Sequence, residues 1–141
     1  EDMVFYGQPK PGNGSVAFLT NSAGQADFSV DLPNLLHGTE KIAFTATIHE
    51  NRANFGVFNS LQVTVKNEAG QAVLQATLPA NAMVESALIL GELYLRQGQW
   101  KFRAVGQGFA GGLQPLRRRY RQPIACNDFW LGCFRRNPCR L

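Results

Sequence analysis

Alternation limits what this chain can fold into more than any other feature. Over Lys41–Glu50, the residues Ile42, Phe44, Ala46 and Ile48 alternate with Ala43, Thr45, Thr47 and His49. A period of two sends neighbouring side chains to opposite faces of a strand, so one set lines a core while the other faces a more polar surface. The pattern returns in Leu61, Val63 and Val65 set against Gln62, Thr64 and Lys66. The turn signal Asn67-Glu68-Ala69-Gly70 and a partner strand over Ala72–Leu78 follow. A second pair, Ser86–Arg96 and Trp100–Val105, is joined by Gln97-Gly98-Gln99. Shorter strands are expected at Met3–Tyr6, Ser15–Leu19 and Phe28–Leu32. Pro9–Gly14 reads as a loop, because its prolines and glycines do not suit a sheet ladder, and Ala23-Gly24 lies in a turn. Seven or eight short strands between turn signals predict an all-β fold, a sandwich of two mostly antiparallel sheets. A short C-terminal helical segment over Gly112–Tyr120 is the one exception.

At 141 residues the chain is long enough for one core and too short for two ordinary domains. No apolar run approaches the ~20 residues that cross a bilayer. The opening Glu1-Asp2-Met3-Val4-Phe5 has no basic stretch leading into an apolar one, so no secretory signal is expected. Charge divides the chain. Residues 1–115 carry seven Lys and Arg against nine Asp and Glu, whereas residues 116–141 carry seven Arg against one Asp. All three cysteines, Cys126, Cys133 and Cys139, also lie in the second part. The expectation is a β-sandwich domain over 1–115 followed by a basic Arg/Cys/aromatic tail over 116–141.

Three stretches together carry a resemblance. The first is Asp2-Met3-Val4-Phe5-Tyr6-Gly7-Gln8, with Gly14-Ser15-Val16 close behind. The second is Lys41–Glu50 followed by Asn54-Phe55-Gly56. The third is Gly91-Glu92-Leu93-Tyr94, then the long string Trp100–Leu113. In order and spacing they resemble the TerD family, the bacterial tellurium-resistance and general-stress proteins, over most of residues 1–116. The resemblance implies a β-sandwich and a non-enzymatic, calcium-binding protein of the bacterial cytoplasm. It also implies action near the membrane with other Ter-operon-type proteins.

The chain departs from the family pattern in three ways. The leading Asp-Leu-Asp-type strand is missing, which predicts an open sheet edge and a homo-oligomer or hetero-complex formed through it. The stretch Ala17–Ala26 has no acid where the family's loop is rich in Asp and Glu, which brings the chain closer to the TerA-like branch. Third, the chain runs on past Ala110-Gly111-Gly112-Leu113 into the basic tail. Calcium takes about six to eight oxygen ligands. Glu1 and Asp2 match the family's acidic pair, Asp27 follows the shortened loop, and Asn21 adds a carbonyl oxygen. These four are the metal candidates, and they argue for a site that is weak or lost.

Other chemistry is poorly supplied. His49 ends a strand and His37 sits in a separate loop, too few ligands for zinc. Glu50 and Glu92 match fixed acids of the family, and the plainest role for them is to satisfy loop backbone donors. No nucleophile elbow or phosphate loop is present, and Gly106-Gln107-Gly108 is best read as a tight turn. No enzyme is expected. In the tail, Arg117-Arg118-Arg119-Tyr120-Arg121, Phe129-Trp130 and Phe134-Arg135-Arg136 mix cations with aromatics, a mixture that suits nucleic acid or an anionic membrane. The cysteine spacing fits no common zinc module and leaves open reduced thiols, or one pair and a spare. A shifted reading frame in place of the family's usual ending is a third reading of the tail.

Overall fold

Short runs rich in Val, Ile, Leu, Phe and Thr, cut by glycine and asparagine turns, form nine strands among the described residues of the computed structural model. They are β1 (Met3–Val4), β2 (Val16–Ser22), β3 (Gln25–Val30), β4 (Lys41–Thr47), β5 (Ser60–Lys66), β6 (Ala72–Pro79), β7 (Ala87–Arg96), β8 (Gln99–Phe109) and β9 (Trp130–Arg136). The structure describes residues 3–4, 7, 9–10, 12–22, 25–48, 53–109 and 130–136. For Met3, Thr20, Asn21, Ser22, Phe109 and residues 130–136 it describes the backbone alone. A five-stranded sheet runs in the order β1-β9-β4-β7-β8, with β2–β3 and β5–β6 as separate two-stranded ribbons. Every pairing is antiparallel. The fold is all-β.

Both expected hairpins form as the sequence suggests. β5 and β6 pair from Ser60↔Pro79 to Lys66↔Ala72, with a register shift between Val65 and Lys66. Asn67 closes their turn: the Gln71 N–H donates to its side-chain oxygen at 3.0 Å and the Gly70 N–H to its carbonyl at 3.0 Å. β7 and β8 meet at Arg96↔Gln99 around Gln97 and Gly98, both with positive φ. Positive φ at both central residues is the two-residue hairpin turn whose twist matches the flanking strands. β2 and β3 are also a hairpin, closing at Ser22↔Gln25. The third strand stops at Val30, short of the expected Leu32, because Leu32–Asn34 is a 3₁₀ turn containing Pro33.

The core lies on one face of the sheet. Ile42, Phe44 and Ala46 share a face by the period of two. At its upper end Val4, Val16 and Ile42 are buried, with Phe18, Phe28, Val30 and Leu35 packed on them. At the lower end Ala46, Phe55 and Leu88 are buried beneath Ile48, Leu61, Met83 and Leu90. The β2–β3 ribbon thus covers one end of the face, and β5, through Leu61, covers the other. Phe28 of the ribbon meets Phe44 of the sheet edge-on at 5.8 Å between ring centroids, with Phe18 at 5.4 Å from Phe28 and Phe102 at 6.1 Å from Phe44.

Two expectations need correction. The second face of β4 is not polar surface, since Ala43, Thr45 and Thr47 are as buried as Ile42 and Ala46. The reason is position, because β4 is flanked by β7 on one side and β9 on the other. Gly106-Gln107-Gly108 is not a tight turn. It belongs to β8, where Gly106 takes φ +66° at an irregularity in the pairing opposite Ile89–Gly91. Within the basic residues 116–141, residues 130–136 are the strand β9, described by its backbone alone. The helical segment expected at Gly112–Tyr120 lies outside the described residues. Among the described residues no helix is long and apolar enough to cross a membrane.

Candidate functional site

The register of the β7–β8 hairpin sets Glu92 directly opposite Arg103. Glu92 is only 2% exposed, and a carboxylate so far from water needs partners. Arg103 donates to Glu92 Oε2 through Nε at 2.9 Å and through Nη2 at 2.5 Å. Lys41, on the neighbouring β4, brings Nζ to 3.5 Å from the same oxygen. The Arg103 guanidinium also lies 5.0 Å from the centre of the Tyr94 ring. Glu92 is therefore held by side-chain cations on the sheet.

The other distinctive strings also take structural roles. The side-chain oxygen of Asn54 accepts from the Gly56 N–H at 3.0 Å and so caps the 3₁₀ turn Phe55–Val57. Phe55 is fully buried and its N–H donates to the Glu85 carbonyl at 3.0 Å. A Cβ on Gly56 would stand 2.7 Å from the Met83 carbonyl oxygen, so the two loops touch through backbone. Gly108 meets the Glu85 side chain in the same way, at 2.6 Å from its Cγ.

This end of the sheet is the most unusual part of the molecule. Thr47 ends β4 with its hydroxyl buried and, among the described residues, without a hydrogen-bond partner. Beside it, the Ile48 N–H donates to the Ser86 carbonyl at 2.8 Å. On the outer surface of the two touching loops, Val57 (67% exposed), Phe58 and Val84 (78% exposed) present apolar side chains to solvent. Sequence reasoning did not single out these residues. The signal available was the run of apolar residues in two loops, Phe55–Phe58 and Met83-Val84, where polar residues are usual.

The metal candidates are only partly described. Glu1 and Asp2 lie outside the described residues, and so do His49, Glu50, Cys126, Cys139 and Arg117–Arg121. The backbones of Asn21 and Asp27 are on neighbouring strands, Asn21 opposite Ala26 and Asp27 opposite Thr20. The Asp27 carboxylate is exposed and accepts from Gln25 Nε2 at 3.2 and 3.3 Å. Among the described residues, no three His, Cys, Asp or Glu side chains are grouped to hold a metal ion. Asp27 provides two carboxylate oxygens where calcium takes about six to eight ligands, so the described residues alone do not fit a calcium cage. His37 is exposed in its loop. Cys133 lies on β9 opposite both Val4 and Phe44, and Arg135 and Arg136 lie opposite Ile42 and Lys41.

A family profile described as TerD domain matches residues 1–120. This chain belongs to the TerD domain family. It is 37% identical over 123 residues to Tellurium resistance protein TerA of Alcaligenes sp, a match covering 87% of this chain and 35% of that protein. It is 36% identical over 129 residues to General stress protein 16U of Bacillus subtilis (strain 168), covering 84% of this chain and 67% of the relative. Chemical-damaging agent resistance protein B of Clostridium acetobutylicum is 34% identical over 129 residues, covering 84% of this chain and 93% of the relative. This TerD domain thus spans about a third of the TerA protein that it matches and nearly the whole of the resistance protein. Its β1–β8 fall within the family match, whereas β9 lies beyond it.

Proposed function

We propose that this TerD domain serves a bacterial stress response of the tellurite-resistance kind, in the cytoplasm, by binding protein partners and not by catalysis. The observation that carries this reading is the family match over residues 1–120, with relatives named for tellurium resistance, general stress and resistance to chemical damage. The roles of the family-like residues support it. Asn54, Phe55, Gly56, Glu92 and Gly108 are all engaged in capping, packing or a buried ion pair, which leaves the exposed Val57, Phe58 and Val84 as contact surface.

Expression of the chain in a tellurite-sensitive bacterial host tests the reading. Tolerance should rise with the wild-type chain and fall back with Val84→Asp, a change at an exposed position that leaves the core intact. A folded wild-type chain that gives no tolerance removes the proposal. Calcium enters as a weak ligand, with Asp27 as the one described carboxylate at the candidate position. Calorimetry on chelator-stripped protein should give at most low-affinity heat, and tight saturable binding would show that residues outside the described set complete a cage. The competing reading is contact of the basic residues 117–121 with nucleic acid or anionic lipid. That reading requires binding that falls steeply with added salt.

A further inference from the structure

We infer that the outer face of the sheet, at the end where β7 turns into β8, binds single-stranded nucleic acid, with the Arg103 guanidinium as the plane on which a base stacks. The inference is independent of the resistance reading and of residues 117–121. The register lays this face out in rows. Lys41 lies opposite Tyr94 and Tyr94 opposite Lys101, Glu92 lies opposite Arg103, and Arg96 lies opposite Gln99. Directly opposite residues share a face, and so do residues two apart on one strand. These side chains therefore stand together, on the face away from Ile42, Phe44 and Leu93 of the core. β9 adds Arg136 opposite Lys41, placed by its backbone. The rows thus hold Lys41, Arg96, Lys101, Arg103 and Arg136 with a single acid, Glu92.

Such a face is complementary to a polyanion. Lys41 and Arg103 both pair with Glu92, so the buried carboxylate is outweighed by its own partners. Arg96 and Lys101 are exposed and have no ion-pair partner among the described residues. Arg103 is what favours a nucleic acid over other polyanions. Its Nε and Nη2 are both committed to Glu92 Oε2, and its Cζ lies over the Tyr94 ring at 5.0 Å. The fork that would grip a carboxylate of an acidic peptide, or a lipid headgroup phosphate, is thereby spent on Glu92. The side chain is nevertheless 53% exposed. It turns to solvent a planar cation fixed from two sides, and bases stack on guanidinium planes as they do on aromatic rings. A plane fixed beforehand also lowers the ordering cost of binding. Lys101 is one same-face step away, about 7 Å along β8, and Lys41 is two strands across, about 10 Å. Both are placed for the phosphates on either side of a stacked base.

Fluorescence anisotropy with a labelled oligothymidylate of about 15 nucleotides tests this on the full chain. Residues 116–141 are unaltered in every variant, so differences report on the sheet face. The double reversal Arg96→Glu with Lys101→Glu should weaken binding about tenfold at low salt and make the dependence of log K on log salt shallower by about 1.4, two phosphate contacts' worth. The same charge change at exposed positions elsewhere, Lys10→Glu with Lys66→Glu, is the control and should have less than about a third of that effect. Arg103→Lys keeps the charge and removes the plane. It should weaken oligothymidylate about threefold with the salt slope unchanged, and should not weaken binding of an abasic strand of the same length. Absence of binding by the wild-type chain, or equal losses in the test and control pairs, overturns the inference. So does a double reversal that releases the chain from phosphatidylglycerol vesicles while leaving oligothymidylate binding intact, which would assign the face to lipid. If Arg103→Lys impairs folding, the double reversal, at two exposed strand positions, decides the question alone.

Discussion

Arg103 reaches from β8 to the buried carboxylate of Glu92 on β7, placing two of its nitrogens on one oxygen at 2.9 and 2.5 Å. The two ends of this contact differ in exposure. The Glu92 side chain is 3% exposed and that of Arg103 is 53% exposed. Removing the arginine strands a buried charge, whereas removing the carboxylate leaves a cation that can turn to water.

Arg103→Ala is therefore expected to cost about 2–3 kcal/mol, with Lys41 left as a weaker partner. Glu92→Gln should cost less, about 1 kcal/mol. Urea unfolding of both variants checks the order. Equal losses would mean that burial of Glu92 is not what makes the contact matter.

Thr47 offers the opposite case. Among the described residues its hydroxyl is buried without a hydrogen-bond partner, so it is held out of water for no return. Thr47→Val keeps the shape and removes the polar atom, and should stabilise the domain by about 1 kcal/mol. A lower melting temperature would show that the hydroxyl is satisfied in solution.

Gly56 and Gly108 both lack room for a methyl group, but different neighbours crowd them. At Gly56 the obstacle is the Met83 backbone carbonyl, which cannot rotate away. At Gly108 it is the base of the Glu85 side chain, whose Cγ and Cδ can swing aside while its Cβ, at 2.9 Å, cannot. Gly56→Ala should cost about 3 kcal/mol and Gly108→Ala about 2 kcal/mol. Denaturant midpoints for the pair test the ranking.

At the β7–β8 turn, Gln97 has φ 51°, a conformation that asparagine tolerates better than glutamine. Gln97→Asn should raise stability by about 0.5 kcal/mol without changing the fold. Differential scanning calorimetry resolves a shift of this size.

The two hairpins were legible in the sequence because both of their signals are local. Asn67–Gly70 and Gln97-Gly98 sit between alternating runs, and the two-residue turn at Gln97-Gly98 fixes the pairs as far as the irregularity at Ile89–Gly91. Counting back from Arg96↔Gln99 leads directly to Glu92↔Arg103. The ion pair is thus implicit in the turn and the residue count, but alternation alone directs attention to faces and away from pairs. Burial of Ala43, Thr45 and Thr47 was not legible. The second edge of β4 pairs with residues 130–136, part of a stretch read as a basic Arg/Cys/aromatic tail. Pairing across such a distance leaves no periodic trace in either strand. The metal candidates were scattered acids, and of their side chains the described structure includes Asp27 alone.

The strand order has a consequence during synthesis. β4 leaves the ribosome almost ninety residues before the strand that completes its other edge. At about 5–20 residues per second, this amounts to an interval of roughly 4–18 seconds. Until β7 emerges β4 has neither neighbour, and from then until β9 emerges it has one. Translation speed and the chaperones that meet emerging polypeptides therefore bear on this domain's yield, and slow codons downstream of β4 would lengthen the period in which a neighbouring nascent chain can pair with it.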